Sequence, residues 1–456
     1  MRLGTISTVP VALACCSFPT LLAAPAAAQD ADAPVTVSIG GSTRVRGEAI
    51  GGQPRPTGPA SDAMLSFSTS IEAKVKAGPL TIGGELRDAR AYGEADDSTR
   101  GTAEVNALEP LQGYAALDLG VLGIGGASVT GGRFSMELGS GRLVGSPAFS
   151  NSVQSYLGGR FDWANGRNDN LTLFWTRPFQ ALPSDRDGIA DNKVELDRAN
   201  GNVTFFGGIV TKAKLVAGAD VELYAFRFLE NDAPARLTRN RHVTTFGGRV
   251  VRAPAKGAID FELEVAGQHG RQRAGTSASD KADLTVRAAY VHATVGRSLP
   301  GGWNPRVAVV FDYATGDGRD PATYGRFDNL FGARRGDFGP TSLFGEITRS
   351  NLVSPGLRLE GKPAKRLDFF VMARGLWLAT STDSFAATGV RDATGQSGRF
   401  AGFEVEARAR RWLVPKRLRF ELGGAWLAKG HFLRDAPNAR HAGDTRYVYS
   451  DLTYSF

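Results

Sequence analysis

The sequence predicts an all-β chain closed into a membrane β-barrel of about 18 antiparallel strands, with short periplasmic turns and long extracellular loops. Three observations predict it. Apolar and polar residues alternate through nearly every stretch of the chain. In 63–77, for example, Ala63, Leu65, Phe67, Thr69, Ile71, Ala73 and Val75 share one face of a strand, while Met64, Ser66, Ser68, Ser70, Glu72, Lys74 and Lys76 share the other. The stretches are also long. Strands of soluble sheets run about 5–6 residues, whereas a tilted strand needs roughly 9–11 to cross a bilayer. Finally, the links between stretches alternate between short and long, the asymmetry of outer-membrane barrels.

Residues 1–28 read as an export leader and 29–456 as the barrel. Arg2 is the leader's only charge, an apolar core runs from Val9 to Ala24, and Ala26, Ala27 and Ala28 supply small residues before Gln29. Cys15 and Cys16 both fall within it, so a chain cleaved after Ala28 carries neither a disulfide nor a thiol nucleophile. Beyond the leader no apolar run approaches the ~18–20 residues of a membrane helix, and an open sheet edge in lipid would cost several kcal/mol per unpaired group. A closed barrel is the remaining way across. The formal charge of +8 becomes +7 without Arg2, a basic excess suited to anionic partners.

Taken in order, the alternation marks strands at 35–48, 63–77, 79–92, 108–119, 122–134, 153–164, 169–177, 200–213, 217–230, 241–253, 257–270, 282–297, 303–314, 350–362, 365–380, 398–413, 416–432 and 444–456. Short links include Gly78, Gly166–Asn168, Pro254–Lys256, Pro363–Ala364 and Val414–Pro415. Long ones include 49–62, 93–107, 135–152, 178–199, 315–349, 381–397 and 433–443. An even count puts both ends of the barrel in the periplasm. Trp163, Trp175, Trp377, Trp412, Trp426, Tyr447 and Tyr449 sit near strand ends, where an interfacial girdle would lie. The last strand places Val448, Leu452, Tyr454 and Phe456 on one face, and it must pair with the first to remove both edges.

A barrel this wide leaves a water-filled lumen, so its inward face decides what passes. On the first strand Val35, Val37, Ile39 and Val45 point to lipid, while Arg44, Arg46 and Glu48 point inward. Near the end of the chain Glu404, Glu406, Arg408 and Arg410 share the inward face. Arg87, Arg160, Asp162, Glu262, Glu264, Arg287, Arg358, Glu360, Asp368, Arg374, Arg419 and Glu421 are further inward candidates, because arginine facing lipid costs about 2–4 kcal/mol at mid-membrane. Guanidinium groups attract anions and bind carboxylates bidentately, and interspersed carboxylates keep that binding weak enough for passage. Each arginine can equally serve as a wall brace.

Two stretches resemble the bacterial alginate export porin family. Leu111–Leu119 followed by Gly131–Gly145 is similar to its paired strands, Gly-Arg signature and Gly-x-Arg-Leu segment. Phe311–Gly318, Phe327–Phe331, Asp337–Gly339 and Asn351–Leu352 resemble its tyrosine strand, Thr-Gly-Asp loop and Phe-Asp-x-Leu-Phe segment; Gly84–Tyr92 resembles its third strand. The resemblance implies eighteen strands and an outer-membrane channel for anionic polysaccharide. It also marks Arg90, Arg133, Arg142 and Asp317 as lumen or constriction residues. The partners it implies are outer-membrane lipid, an acidic saccharide such as an alginate-like uronate, and the barrel-assembly machinery, met through the strand ending at Phe456. The location is the outer membrane of a Gram-negative bacterium. One departure is that Val414–Pro415 is too short to form the late periplasmic plug of relatives.

Other chemistries have little support. Gly123-x-Gly125-x-x-Ser128 lacks the third glycine and the helix of a dinucleotide fingerprint, and Asp185–Glu195 lacks the spacing of a calcium loop. His242, His269, His292, His431 and His441 show no metal-ligand spacing, so no cofactor is expected. No basic block interleaved with aromatics suggests nucleic acid. An enzyme built into the barrel would have to use His431 and Asp435 at the rim. An uptake channel for small hydrophobic or aromatic compounds is the alternative, and it would want an apolar plug or a lateral opening.

Overall fold

The computed structural model describes residues 35–456 apart from 147–148, 234–235, 335 and 346; the leader assigned to 1–28 lies outside the described residues. Eighteen long strands follow one another: β1 Val35–Gly51, β2 Ser61–Ala77, β3 Leu80–Tyr92, β4 Asn106–Asp118, β5 Ala127–Ser135, β6 Ser155–Ala164, β7 Asn170–Gln180, β8 Val203–Val216 and β9 Ala219–Glu230. The second half runs β10 His242–Arg252, β11 Ile259–Gln272, β12 Leu284–Ser298, β13 Arg306–Ala314, β14 Leu352–Ala364, β15 Leu367–Trp377, β16 Phe400–Val414, β17 Leu418–Lys429 and β18 Thr445–Ser455. Two-residue strands at Arg198–Ala199 and Thr323–Tyr324 belong to loops.

Every long strand pairs antiparallel with its neighbours in sequence, and β18 returns to β1 with Arg46 opposite Asp451 and Glu48 opposite Tyr449. The sheet therefore has no free edge, as a lipid-embedded sheet requires. Short turns at one end (78–79, 217–218 and 365–366) alternate with long loops at the other (181–202, 315–351 and 378–399). Most strand limits shift by one to three residues from the sequence reading, and two of the shifts have clear local causes. Leu119–Leu122 coils into a 3-10 turn capped by the Asp118 carboxylate, so β5 begins at Ala127 rather than at 122. At the far end β17 stops at Lys429, because His431–Asp435 turns into a short helix.

The wall alternates as the sequence dictates. Val37 and Ile39 are 63% and 69% exposed on the outer face, whereas Met64, Ser66 and Arg46 are buried within. Inward tyrosines lie flat over glycines of the next strand, Tyr114 over Gly83, Tyr224 over Gly247 and Tyr449 over Gly423, so a methyl group at any of these glycines would strike the ring. Such pairs fill the thin spots that glycine leaves in a curved sheet. Tyr447 and Tyr449 correct the girdle assignment: both are buried on the inner face, with their hydroxyls on Glu48 and Glu421 at 2.7 Å each. Trp175 and Trp426 do face outward. The apolar core lies inside the barrel, where long loops fold inward. One cluster joins Phe338, Leu343, Phe344 and Ile347 to Tyr447 and Tyr449, and another joins Leu143 and Val144 to Tyr156, Phe205 and Phe228.

Candidate functional site

Two long loops meet in the lumen. The 136–154 loop closes on itself through Leu138 N–H to the Val144 carbonyl, and it zips to the 315–351 loop through Gly145 N–H to Phe331 O (3.1 Å) and Phe331 N–H to Leu143 O (3.0 Å). The approach is so close that a methyl group at Gly332 would collide with the Arg142 carbonyl. Glycine is required there by space alone.

Arg142, at the tip of the first loop, ties it to the wall of β11. It donates to Glu264 at 2.8 Å and to Glu262, and its Nε and Nη2 reach Asp337 of the second loop at 2.7 and 3.0 Å. Glu262 and Glu264 share the inner face because they are two apart on a strand. Arg249 on β10 and Tyr224 on β9 donate to the same pair at 2.7 and 3.0 Å. Arg349 donates a second ion pair to Asp337, and Arg374 donates to the Asp337 carbonyl. Burial pushes the Asp337 carboxyl up, but Arg142 and Arg349 more than reverse this and hold it well below the usual carboxylate range.

Across the ring, β1 and β3 hold the far end of the same loop. Arg44 donates to the Phe149 and Ser150 carbonyls and to Asn151 Oδ1 at 2.9, 3.0 and 2.7 Å. Arg46 donates to Phe149 O at 2.7 Å and lies 3.4 Å over the Phe149 ring. Arg87 reaches Asn151 O at 3.2 Å. The second loop adds Ser342 Oγ to Glu48 (3.0 Å) and stacks Phe344 on Tyr447. The loops thus cross the bore from β1–β3 to β9–β11 and narrow it.

Under this crossing lies a cavity of about 280 Å³ lined by Ser42, Arg44, Ser68, Ser70, Arg87, Ser150, Arg419 and Thr453. Three guanidinium groups and a ring of hydroxyls line it, with no carboxylate among the lining side chains. At the long-loop mouth a second cavity of about 580 Å³ carries Arg239, Arg319, Arg326 and Arg391 beside Asp317, Asp320 and Asp383.

The other sequence-derived candidates fall in three places. Arg160 and Asp162 pair at 2.6 Å on the inner face of β6, Arg408 and Arg410 both pair with Asp368 at 3.0 Å, and Arg358 pairs with Glu360 at 3.2 Å while reaching Gly336 O. Arg374 is buried at 3.2 Å from Glu404. Arg133 is enclosed by Glu109, Asp197 (3.1 Å), Ser155 and the Phe179 ring, which makes it a brace between wall and the 181–202 loop. Asp317 sits at the mouth and accepts Gly325 N–H at 2.9 Å.

Two candidates are displaced. Arg90 shares the outer face of β3 with Leu86 and Tyr92, paired to Asp88 at 3.0 Å, and Arg287 is exposed on the outer face of β12 with Val295. Period-two counting alone gives this result; for Arg287 treating wall arginines as inward overrode it, and for Arg90 the family resemblance did. The loop residues Asp337 and Arg349 were missed as a latch, although they lie in the long 315–349 link, a stretch rich in charged and aromatic residues.

The chain matches the alginate export family over residues 35–445. Among solved structures, OccK9 of Pseudomonas aeruginosa is similar at a TM-score of 0.59 and 12% identity, covering 92% of this chain and 98% of that one. OccAB3 of Acinetobacter baumannii gives 0.59 at 13%, over 92% and 99%. P. aeruginosa OccK2 in complex with glucuronate gives 0.54 at 11%, over 92% and 98%. Comparison with curated proteins gives no match. An edge-free barrel of eighteen strands, apolar outside and crossed by two loops, is an outer-membrane channel of a Gram-negative bacterium, and the chain belongs to the alginate export family.

Proposed function

We propose that this channel passes acidic saccharides, of the uronate type, through a constriction lined by arginine. The observation that carries the reading is the cavity under the loop crossing. Arg44, Arg87 and Arg419 offer carboxylates bidentate donors there, and Ser42, Ser68, Ser70 and Thr453 match sugar hydroxyls. Arg44 is held in place by the Phe149 and Ser150 carbonyls, whereas Arg87 is held by the Asn151 carbonyl and by an ion pair with Glu85 at 2.8 Å, which moderates its pull on an anion and keeps binding shallow. The mouth arginines would gather anions before they reach this point, and the mixed carboxylates beside them keep binding shallow. The glucuronate bound in OccK2, a barrel of the same fold, is a ligand of this chemical class.

The test is current block in a planar bilayer. Uronate oligosaccharides should interrupt the current at concentrations where neutral oligosaccharides of equal length do not, and Arg44→Ala with Arg87→Ala should abolish the difference. Equal block by both sugars would overturn the reading.

A second reading has one observation in its favour. On the outer wall, Ala49, Val405, Trp426 and Val448 line an apolar hollow of about 620 Å³ beside Gly424, which would suit a small apolar solute entering from the side. The ladder between β17 and β18 is continuous there, Gly423 to Tyr449 and Gly424 to Val448, so the wall is shut. Uptake of an aromatic compound abolished by Gly424→Leu would favour it over the first reading.

A further inference from the structure

The outer wall is apolar on most strands, but the long-loop end of β9–β12 is not. Arg227, Thr244, His269 and Arg287 are register partners across four consecutive strands. One same-face step nearer the rim, His242 pairs with Arg271. All lie on the outer face that also carries Leu223, Phe246, Leu263 and Val295. Strands lie about 4.8 Å apart and same-face residues about 6.6 Å, so three guanidinium and two imidazole groups fall within roughly 15 by 7 Å.

Little in the protein answers this charge. Asp283 pairs with Arg271 at 3.1 Å, Arg227 donates to Thr244 Oγ1 at 2.6 Å, and His242 shares a hydrogen bond with Asn231 Oδ1 at 3.0 Å. Among the described residues no side-chain hydrogen bond or ion pair engages the Arg287 guanidinium or the His269 ring. Nor is the patch a general feature of the rim. Three residues in from the long-loop end, β14, β16 and β17 present Pro355, Phe403 and Trp426 outward; β7 presents a single Arg177 over the Trp175 ring, whereas β9, β11 and β12 together present Arg227, His269 and Arg287. The cations sit near the long-loop end of the wall, on the face turned away from the lumen carboxylates.

We infer that this patch binds the phosphate groups of a phosphorylated glycolipid in the outer leaflet. Guanidinium forks match phosphate oxygens bidentately, and the apolar residues below, Leu223, Phe246 and Val265, offer acyl chains a continuous surface. The site is independent of what passes through the lumen.

The test uses the intact barrel in detergent, titrated with bisphosphoryl lipid A, its dephosphorylated form, phosphatidylglycerol and inorganic phosphate, with occupancy read by native mass spectrometry. Bisphosphoryl lipid A should bind at least roughly tenfold more tightly than its dephosphorylated form, the difference of one or two charge-assisted contacts. Arg227→Gln with Arg287→Gln should erase that difference while single-channel conductance stays at the wild-type level. Equal binding of the dephosphorylated lipid, of phosphatidylglycerol or by the double variant would overturn the assignment. Displacement by millimolar inorganic phosphate would mark a free-anion site instead. A change of oligomeric state in the double variant, without change in lipid binding, would assign the patch to a second copy of the chain.

Discussion

Asp337 is the residue on which the loop crossing turns. It accepts two hydrogen bonds from Arg142 and a further ion pair from Arg349, and it joins two loops to each other and to the wall. Replacing it by Asn keeps the volume and removes the charge. Arg142 then retains Glu262 and Glu264, but Arg349, 1% exposed, loses its carboxylate partner and keeps only neutral contacts, the carbonyls of Ala333 and Arg142 and the Tyr290 and Phe338 rings among them. Removing one partner of a buried pair costs about 3–5 kcal/mol, and the surviving wall contacts of Arg142 put this case near 3. Applied to the docked arrangement of the loops, that shifts the balance toward the undocked one by roughly a hundredfold. In single-channel recordings Asp337→Asn should therefore show frequent transitions to a higher conductance, while Asp368→Asn, which removes a wall pair with Arg408 and Arg410, should not. Indistinguishable traces for Asp337→Asn and the wild type would refute the claim that this latch holds the constriction.

Gly332→Val should undock the same loops by steric collision with the Arg142 carbonyl, giving the high-conductance state with normal heat-modifiable migration on gels; unchanged conductance would mean the loops do not meet there. Glu104, in the 93–105 loop, has its carboxyl pushed by burial from the ordinary 4.5 up to about 7. A raised carboxyl pKa means the folded loop holds its proton longer than the unfolded one. The stabilisation is then complete below about 4.5 and lost as pH rises through about 7, a change of about 3 kcal/mol. Hydrogen exchange in 93–105, corrected for its intrinsic pH dependence, should accelerate from pH 5 to pH 8, and Glu104→Gln should flatten the profile. Tyr447→Phe removes a 2.7 Å hydrogen bond to the buried Glu48 and should cost about 1–3 kcal/mol, seen as easier denaturant unfolding of the barrel.

Most of the wall was legible in the sequence because lipid and water impose a period of two over lengths that nothing else demands. The closure of β18 on β1, the alternation of turn and loop, and the outward set Val448, Leu452 and Tyr454 all follow from that rule. Arg287 shows where charge, and Arg90 where the family resemblance, was given more weight than period: near a rim the lipid face tolerates arginine, since the cost falls to about 0–1 kcal/mol there. Tyr447 and Tyr449 show the reverse error, because an aromatic near a strand end can serve either face and only parity decides. The crossing itself was only half legible. The 315–351 loop announced itself by charge and aromatics, but the pairing of Arg142 with Glu262 joins residues 120 positions apart, and no local pattern specifies that contact.

The account rests on a bore whose fixed charge favours anions. The reversal potential of the purified barrel in a planar bilayer across a KCl gradient at low salt measures that directly. An anion preference that declines as salt is raised, through screening of the lumen arginines, is the predicted result. A cation preference, or none at low salt, would contradict it.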